Sequence, residues 1–409
     1  MSANETKDKI QREGLNKWWA YPVNGKGTLQ YATGVGKTRC GVLAAALIAE
    51  RLWNCKSGFE DCNILILTPT ETIRDRAWKE EFKKWGHMNV FNSCVECVCI
   101  QTAYKYVGHH YDLVIADEIH NYISPEYFNF FSQNKYDKVL GLSAYIDPLK
   151  LPLLNAIAPI CDRLNTQDAR DLKLISDFTI YNVPLKLSGA EKKSYTSANN
   201  AFNGLFPFFE RDLKLMYSCM KPRNYETFLQ RKGMSLDDEN KTFPFRCNAA
   251  MAKRKKLLYN SEAKVDAVKH LCELYPERKI IIFSQTIEFA DKVTDELGDN
   301  CVSFHSKIGK KARKANLDKL IDNRTKITRI STAKALNEGM NVPDISMAII
   351  ASGTSKTKDL IQRIGRVVRW EEGKQALIFH LYIEDSQEEK WVSSSQTGYS
   401  VELMRLEQS

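Results

Sequence analysis

The chain has 409 residues, 59 Lys and Arg against 50 Asp and Glu, a net charge of +9, and 43% apolar residues. That length predicts about two to four domains, the apolar share excludes global disorder, and the mild basicity fits a polyanionic partner. The polar N-terminus MSANETKDKIQREG lacks the form of a secretory leader. The longest apolar run, GVLAAALIAE, is far below the ~20 residues a bilayer span needs, so a soluble intracellular protein is expected.

In chain order, GTLQYA (27–32) reads as a strand, ATGVGKT (32–38) as a glycine-containing loop and CGVLAAALIAERLW as a helix. A phosphate-binding loop reads G-x-x-x-x-G-K-[ST], and here its first position falls on Tyr31. The rest fits: Gly34 and Gly36 let the N–H groups of Thr33–Gly36 turn toward an anion at a helix start. Lys37 would reach the β- and γ-phosphates, and Thr38 would ligate Mg²⁺. ILILT (64–68) follows as a strand, and AWKEEFKKW as a helix. In CVECVC (94–99) Cys97 and Cys99 alternate with apolar residues at strand period, which predicts free or buried thiols rather than zinc ligands. An odd total of eleven cysteines speaks against a disulfide framework.

LVIA (113–116) is a third strand, ending at Asp117, Glu118 and His120; VLGLS (139–143) is a fourth. Asp117 would hold Mg²⁺, and Glu118 would orient or deprotonate a water. Strands alternating with helices predict a parallel sheet covered on both faces, with ligands at the strand ends. The rhythm returns in KIIIFS, CVSFHS, TRIST, SMAIIAS and QALIFHL, with IEFADKVTDEL, KKARKANLDKLI and KDLIQRIGRVV as helices between them. The expected plan is α/β: a first unit over 1–183, a mainly helical connector over 184–262, a second unit over 263–390 and a mobile tail over 391–409. In DLIQRIGRVVRW, Gln362, Arg363, Arg366 and Arg369 recur at helical spacing. Arginines stabilise the charge of a transferring phosphoryl group. Arg366 and Arg369 stand in the other unit from Lys37, so ATP would bind where the two units meet.

These pieces, in this order, resemble a superfamily 2 helicase or translocase of the DExH type, whose two-glycine TGxGKT loop accounts for Tyr31. The resemblance spans roughly residues 8–385 and implies two RecA-like domains. It implies further roles position by position. IQREGLNKWW resembles the adenine-reading segment, with Gln11 as the base contact. LTPTETIRDRAWKEEFKKW resembles motif Ia, which brings Thr68, Pro69 and Thr70 to a strand's phosphates. IQTAYKY supplies Thr102, and IIIFSQT, resembling motif IV, supplies Ser284 and Gln285. STAKALNEGMNVPD resembles motif V, with Thr332 near the strand and Glu338-Gly339 near the nucleotide. GLSAYI matches the coupling motif Ser-Ala-Thr at Ser143 and Ala144, while Tyr145 replaces the threonine; His120 would join this coupling group.

Hydroxyls and loop N–H groups grip phosphates without reading sequence, so a largely sequence-independent nucleic-acid partner is expected, DNA in preference to RNA. The lysines of 307–314 and 253–256 are either salt-sensitive phosphate contacts or solvated charge. The motif block looks most like the branch holding restriction-enzyme translocase subunits, UvsW-type phage helicases and RadD- or XPB-like DNA helicases. The compact size suits a stand-alone or virus-encoded enzyme. Two alternatives stay open: an RNA helicase, and a nucleic-acid clamp switched by ATP with weak hydrolysis.

Overall fold

The computed structural model describes residues 3–56, 62–71, 73–333, 344–353, 356–368 and 373–406. Among these residues two parallel sheets form, of six and seven strands, each wrapped by helices. The first holds β1 (Lys26–Tyr31), β2 (Ile64–Thr68), β3 (Val95–Cys99), β4 (His110–Asp117), β5 (Lys135–Ser143) and β6 (Ile160–Leu164), in the order β3-β2-β4-β5-β1-β6. β2 is buried along its whole length and β4 at six consecutive positions. That is why these segments read as continuous apolar runs, since a sheet covered on both faces has no wet side.

The second sheet holds β7 (Asp177–Leu185), β8 (Lys279–Ser284), β9 (Cys301–Phe304), β10 (Arg329–Ala333), β11 (Ile345–Ile350), β12 (Gln375–Ile383) and β13 (Val401–Leu403). Its order is β13-β7-β12-β11-β8-β10-β9. Two of the expected boundaries therefore move. Residues 177–183 were expected in the first unit, but β7 pairs along its full length with β12, Asp177 opposite Gln375 and Leu185 opposite Ile383. The tail was expected to be mobile, but a helix runs over Gln387–Ser395 and β13 adds to the outer edge of β7. Strand membership is a long-range choice, made by whichever edge offers matching hydrogen bonds, and no local pattern reveals it.

The connector is helical, with Gly189–Leu205 and Phe243–Tyr259 packed on one another and two shorter helices, Leu213–Ser218 and Pro222–Arg231, beyond them. Four of its aromatics face inward: Phe202, Phe209, Tyr225 and Phe228 form a separate core with Met216 and Cys247. The connector leaves from the C-terminal end of β7 and returns through the helix Glu262–Leu274, which precedes β8. It therefore stands on the same sheet edge that carries the ends of β8 and β10.

Cys62, Cys94 and Cys99 are buried and outside any disulfide around β2 and β3, and Cys97 is half-buried on β3. Among the described residues no helix is long and apolar enough to cross a membrane.

Candidate nucleotide site and strand-facing edge

Register alone brings three strand ends together. β5 lies between β4 and β1; Asp117 is level with Leu142, and Ser143 with Gln30. The loop after β1 therefore rises beside Asp117 and Ser143. In that loop Gly34 and Gly36 have φ of +95° and +97°, a region that side chains disfavour. At Gly36 a Cβ would also come within 2.3 Å of the Gln11 amide nitrogen. The helix Lys37–Lys56 begins at once, so its N-terminal N–H groups face the loop. Lys37 Nζ donates to the Tyr31 carbonyl at 3.0 Å, and Thr38 is half-buried in the first turn.

Gln11, on the N-terminal helix Ala3–Trp19, is buried against this loop. Its amide donates to the carbonyl of buried Val35 at 2.7 Å and accepts from Arg39 at 2.6 Å. Arg39 also pairs with Asp8 and lies 4.1 Å above the Trp85 ring. Gln11, Gly34, Gly36, Thr38, Arg39 and Trp85 line a cavity of about 820 Å³. Sequence reasoning found Gln11 but not Asp8, Arg39 or Trp85, which become partners only when three helices meet.

At the end of β4, Asp117 accepts from the Trp78 indole N–H at 3.2 Å. Burial first, then the charge of Glu118, pushes the Asp117 carboxyl up, while Lys37 pulls it down. A carboxylate held where its own charge is disfavoured, beside a second carboxylate, is a place that a hard cation would stabilise. Asp117 and the Thr38 hydroxyl are both oxygen donors, so the residues present fit Mg²⁺. Glu118 has φ of +54°, a left-handed conformation that costs a non-glycine residue about 1–3 kcal/mol. The turn aims its Oε2 to 3.3 Å from His120 Nδ1. His120 Nδ1 also lies 2.7 Å from Ser143 Oγ, which donates to the Tyr145 carbonyl at 2.8 Å. With the hydroxyl proton on that carbonyl, the imidazole carries its own on Nδ1. His120 thus links through Ser143 to the Tyr145 backbone, with Glu118 Oε2 within ion-pair range of the same ring nitrogen, and Ala144 and the Tyr145 side chain are half-buried beside it.

The second domain reaches this site through the helix Thr357–Val367. A Cβ on Gly365 would lie 2.3 Å from Thr33 Cβ, so the helix backbone rests directly on the phosphate loop. The Ser176 N–H donates to the Val368 carbonyl at 2.9 Å just beyond the helix. Gln362 and Arg366, four apart on one face, are half-buried. Arg363, beside them, is buried and donates to the Ser352 carbonyl at 2.8 Å. Arg369, Glu338 and Gly339 lie outside the described residues.

The expected strand contacts divide. Thr68, Ser284 and Thr332 are buried at their strand ends. Ser284 Oγ donates to the carbonyls of Thr286 and Thr332, at 2.9 and 3.2 Å. Thr68 Oγ1 lies 3.6 Å from Cys99 Sγ. Pro69, Thr70 and Gln285 are half-buried one or two residues further on, and Thr102 is exposed. The Thr68 and Ser284 hydroxyls thus turn to neighbouring strands, the Thr332 hydroxyl is buried, and of the expected contacts Thr102 is the exposed one.

Comparison with known proteins agrees with this architecture. Residues 6–147 match the model of the type III restriction enzyme res subunit, and residues 263–371 that of the helicase conserved C-terminal domain. A DNA 3'-5' translocase, XPB2, of Sulfurisphaera tokodaii is 24% identical over 92% of this chain and 82% of its own. Among solved structures, S. cerevisiae Dbp5 bound to RNA and ADP BeF3 superposes with a TM-score of 0.61 at 14% identity, over 97% of this chain and 89% of that one. The Pyrococcus furiosus Hef helicase domain superposes with a TM-score of 0.56 at 16% identity, over 96% and 97%. With both halves of the motor matched and the helix of Gln362 and Arg366 seated on the loop that begins the Lys37 helix, the chain is a superfamily 2 helicase or translocase built on two RecA-like domains.

Proposed function

We propose that the chain is an ATP-driven motor on DNA, hydrolysing ATP in the cleft between its two domains and moving a strand across their shared upper edge. The observation that carries this reading is the seat of Gly365 on Thr33. It places the Gln362 and Arg366 helix of one domain on the phosphate loop of the other, so closure of the cleft and completion of the site are one event. The XPB2 relative supports DNA over RNA, and its 3'-5' direction is the polarity to test.

Lys37 and the loop N–H groups bind the phosphates, and Gln11, braced on Val35, stands at the base end of the cavity. Thr38 and Asp117 hold Mg²⁺, which when bound offsets negative charge on the triphosphate. Glu118 accepts a proton from the attacking water as the water oxygen bonds to the γ-phosphorus and the bond to the bridging oxygen breaks. Arg366, with Arg369, stabilises the charge of that transfer, and Gln362 orients it. The chain Glu118–His120–Ser143 carries the change to the strand-facing loops, where Pro69, Thr70, Thr102 and Gln285 meet the phosphates. Thr68, Ser284 and Thr332 shape those loops from beneath.

The connector adds a further contact. Residues 189–259 hold fourteen Lys and Arg against seven Asp and Glu, a surplus of seven out of nine for the whole chain. Lys214, Lys221 and Arg223 are exposed within six residues of Tyr217 in the chain, and Tyr217 is 47% exposed. Basic side chains around an accessible ring suit a nucleic-acid backbone with a base stacked beside it.

Steady-state ATP hydrolysis, measured alone and then with single-stranded DNA, duplex DNA or RNA at one salt concentration, tests the reading. Strong stimulation by DNA is expected. Stimulation by RNA alone would replace DNA as the track, and binding of ATP without turnover on any polynucleotide would make the protein a clamp.

A further inference from the structure

The acid pair has a neighbour to which no motif assigns a role. Trp78 is fully buried, and its only polar atom, the indole N–H, is spent on Asp117 Oδ2 at 3.2 Å. The fit is built from both sides. On the phosphate-loop helix, Gly41 has no Cβ because one would lie 2.5 Å from Trp78 Cη2 and 2.8 Å from Cζ3. On the other side the Trp78 ring leans on Phe82, centroids 6.4 Å apart, and Phe82 on Phe91 at 5.1 Å. The indole is thus wedged between the helix that starts at Lys37 and the strand that ends at Asp117. Its own helix, Trp78–Lys84, opens after a π turn over Ile73–Ala77. Such a turn shifts the helical register by a residue and is common beside functional sites.

A buried tryptophan could fill this space without meeting a carboxylate. Here the N–H is aimed at one oxygen of the residue that the proposed function assigns to Mg²⁺. A bond to one oxygen stops the carboxylate rotating and leaves the other oxygen's lone pairs for a cation. Partners of metal-ligating carboxylates act in this way, and losing one typically costs about 10–100-fold in metal affinity. We infer that Trp78 is a positioning residue for Asp117, setting how much Mg²⁺ the motor needs to hold its nucleotide, with Gly41 as the space that admits it. This rests on the assignment of Asp117 above.

The test is binding, not turnover: anisotropy of a fluorescent ATP analogue on the full chain, with MgCl₂ titrated in. W78F keeps a buried ring and removes the N–H. It should raise the Mg²⁺ concentration for half-maximal binding about tenfold and leave metal-free nucleotide binding unchanged. A purely structural role would lower the melting temperature and weaken both kinds of binding alike. Wild-type Mg²⁺ dependence in W78F overturns the inference. D117N separates the two claims. If it too keeps the wild-type Mg²⁺ dependence, the assignment of Asp117 falls; if it loses that dependence while W78F does not, only the role of Trp78 falls. Should W78F not fold, ¹⁵N-indole-labelled wild-type protein gives the same decision. One solvent-protected indole N–H resonance should move when MgCl₂ joins the nucleotide, and a spectrum in which none moves refutes the role.

Discussion

Replacing Gly365 by alanine tests whether the arginine helix sits on the phosphate loop during turnover. The added Cβ would lie 2.3 Å from Thr33 Cβ and 2.4 Å from its Cγ2. Carbon atoms rest at about 3.5–4.0 Å, so the overlap exceeds 1 Å against two atoms on a short, stiff side chain. Overpacking of this kind costs about 1–3 kcal/mol, but only in the closed cleft, because the two halves can part. Within its own helix the change is favourable by up to about 1 kcal/mol. The expected result is a melting temperature equal to or above wild type. The maximal rate of DNA-stimulated ATP hydrolysis should fall about 5- to 150-fold, since each 1.4 kcal/mol is a factor of ten. Thermal unfolding by circular dichroism and a coupled-enzyme ATPase assay read the two quantities. A G365A enzyme with the wild-type rate would refute the seating, and with it the observation on which the proposed function rests.

Removing the Lys37 ammonium (K37A) should abolish turnover and weaken nucleotide binding. E118Q should bind ATP normally in filter-binding assays but hydrolyse it about 10²–10⁴-fold more slowly; a wild-type rate in either variant would displace the site. Changing Lys214, Lys221 and Arg223 together to glutamine should leave the melting temperature unchanged. It should reduce the slope of log affinity for DNA against log salt by about 2–3, and an unchanged slope would remove the connector from the interface. His380 is buried; burial, then the charges of Arg363 and Lys264, drive its pKa down to about 3. Its neutral form is favoured in the fold, so its contribution is complete above the unfolded value of about 6.5 and is lost as pH falls toward 3, at up to about 1.4 kcal/mol per pH unit. Urea unfolding between pH 6.5 and 4 should show a shallower loss in H380F, and an equal slope would refute the assignment. Lys264 and Glu388 form an ion pair at 2.8 Å with both side chains buried. E388A should destabilise the protein by about 3–5 kcal/mol in the same assay, because it strands a buried ammonium.

The phosphate loop was legible because its reasons are local. Two glycines with positive φ followed by Lys-Thr at a helix start form the same cradle wherever they occur. The acid pair was legible because the apolar run of β4 stops at Asp117. The connector's aromatic content was visible, but not whether its rings faced bases or one another. The answer depends on the antiparallel neighbour helix Phe243–Tyr259, which brings Phe243 to 5.3 Å from Phe208.

By itself the sequence determined the strand and helix rhythm, the order of the motifs and the α/β class. Each of these is written in spacings of a few residues, through turn chemistry and hydrophobic period. Only the tertiary structure decided that β7 and β13 belong to the second sheet and that Arg363 is buried on Ser352 while Gln362 and Arg366 stay half-buried. It also decided that the Thr68 and Ser284 hydroxyls turn to neighbouring strands, that Thr332 is buried, and that the Trp78 N–H meets Asp117. Each of these is a choice of partner across tens to hundreds of residues. A side chain's chemistry states what it can bond to, and only the folded neighbours state what it does bond to.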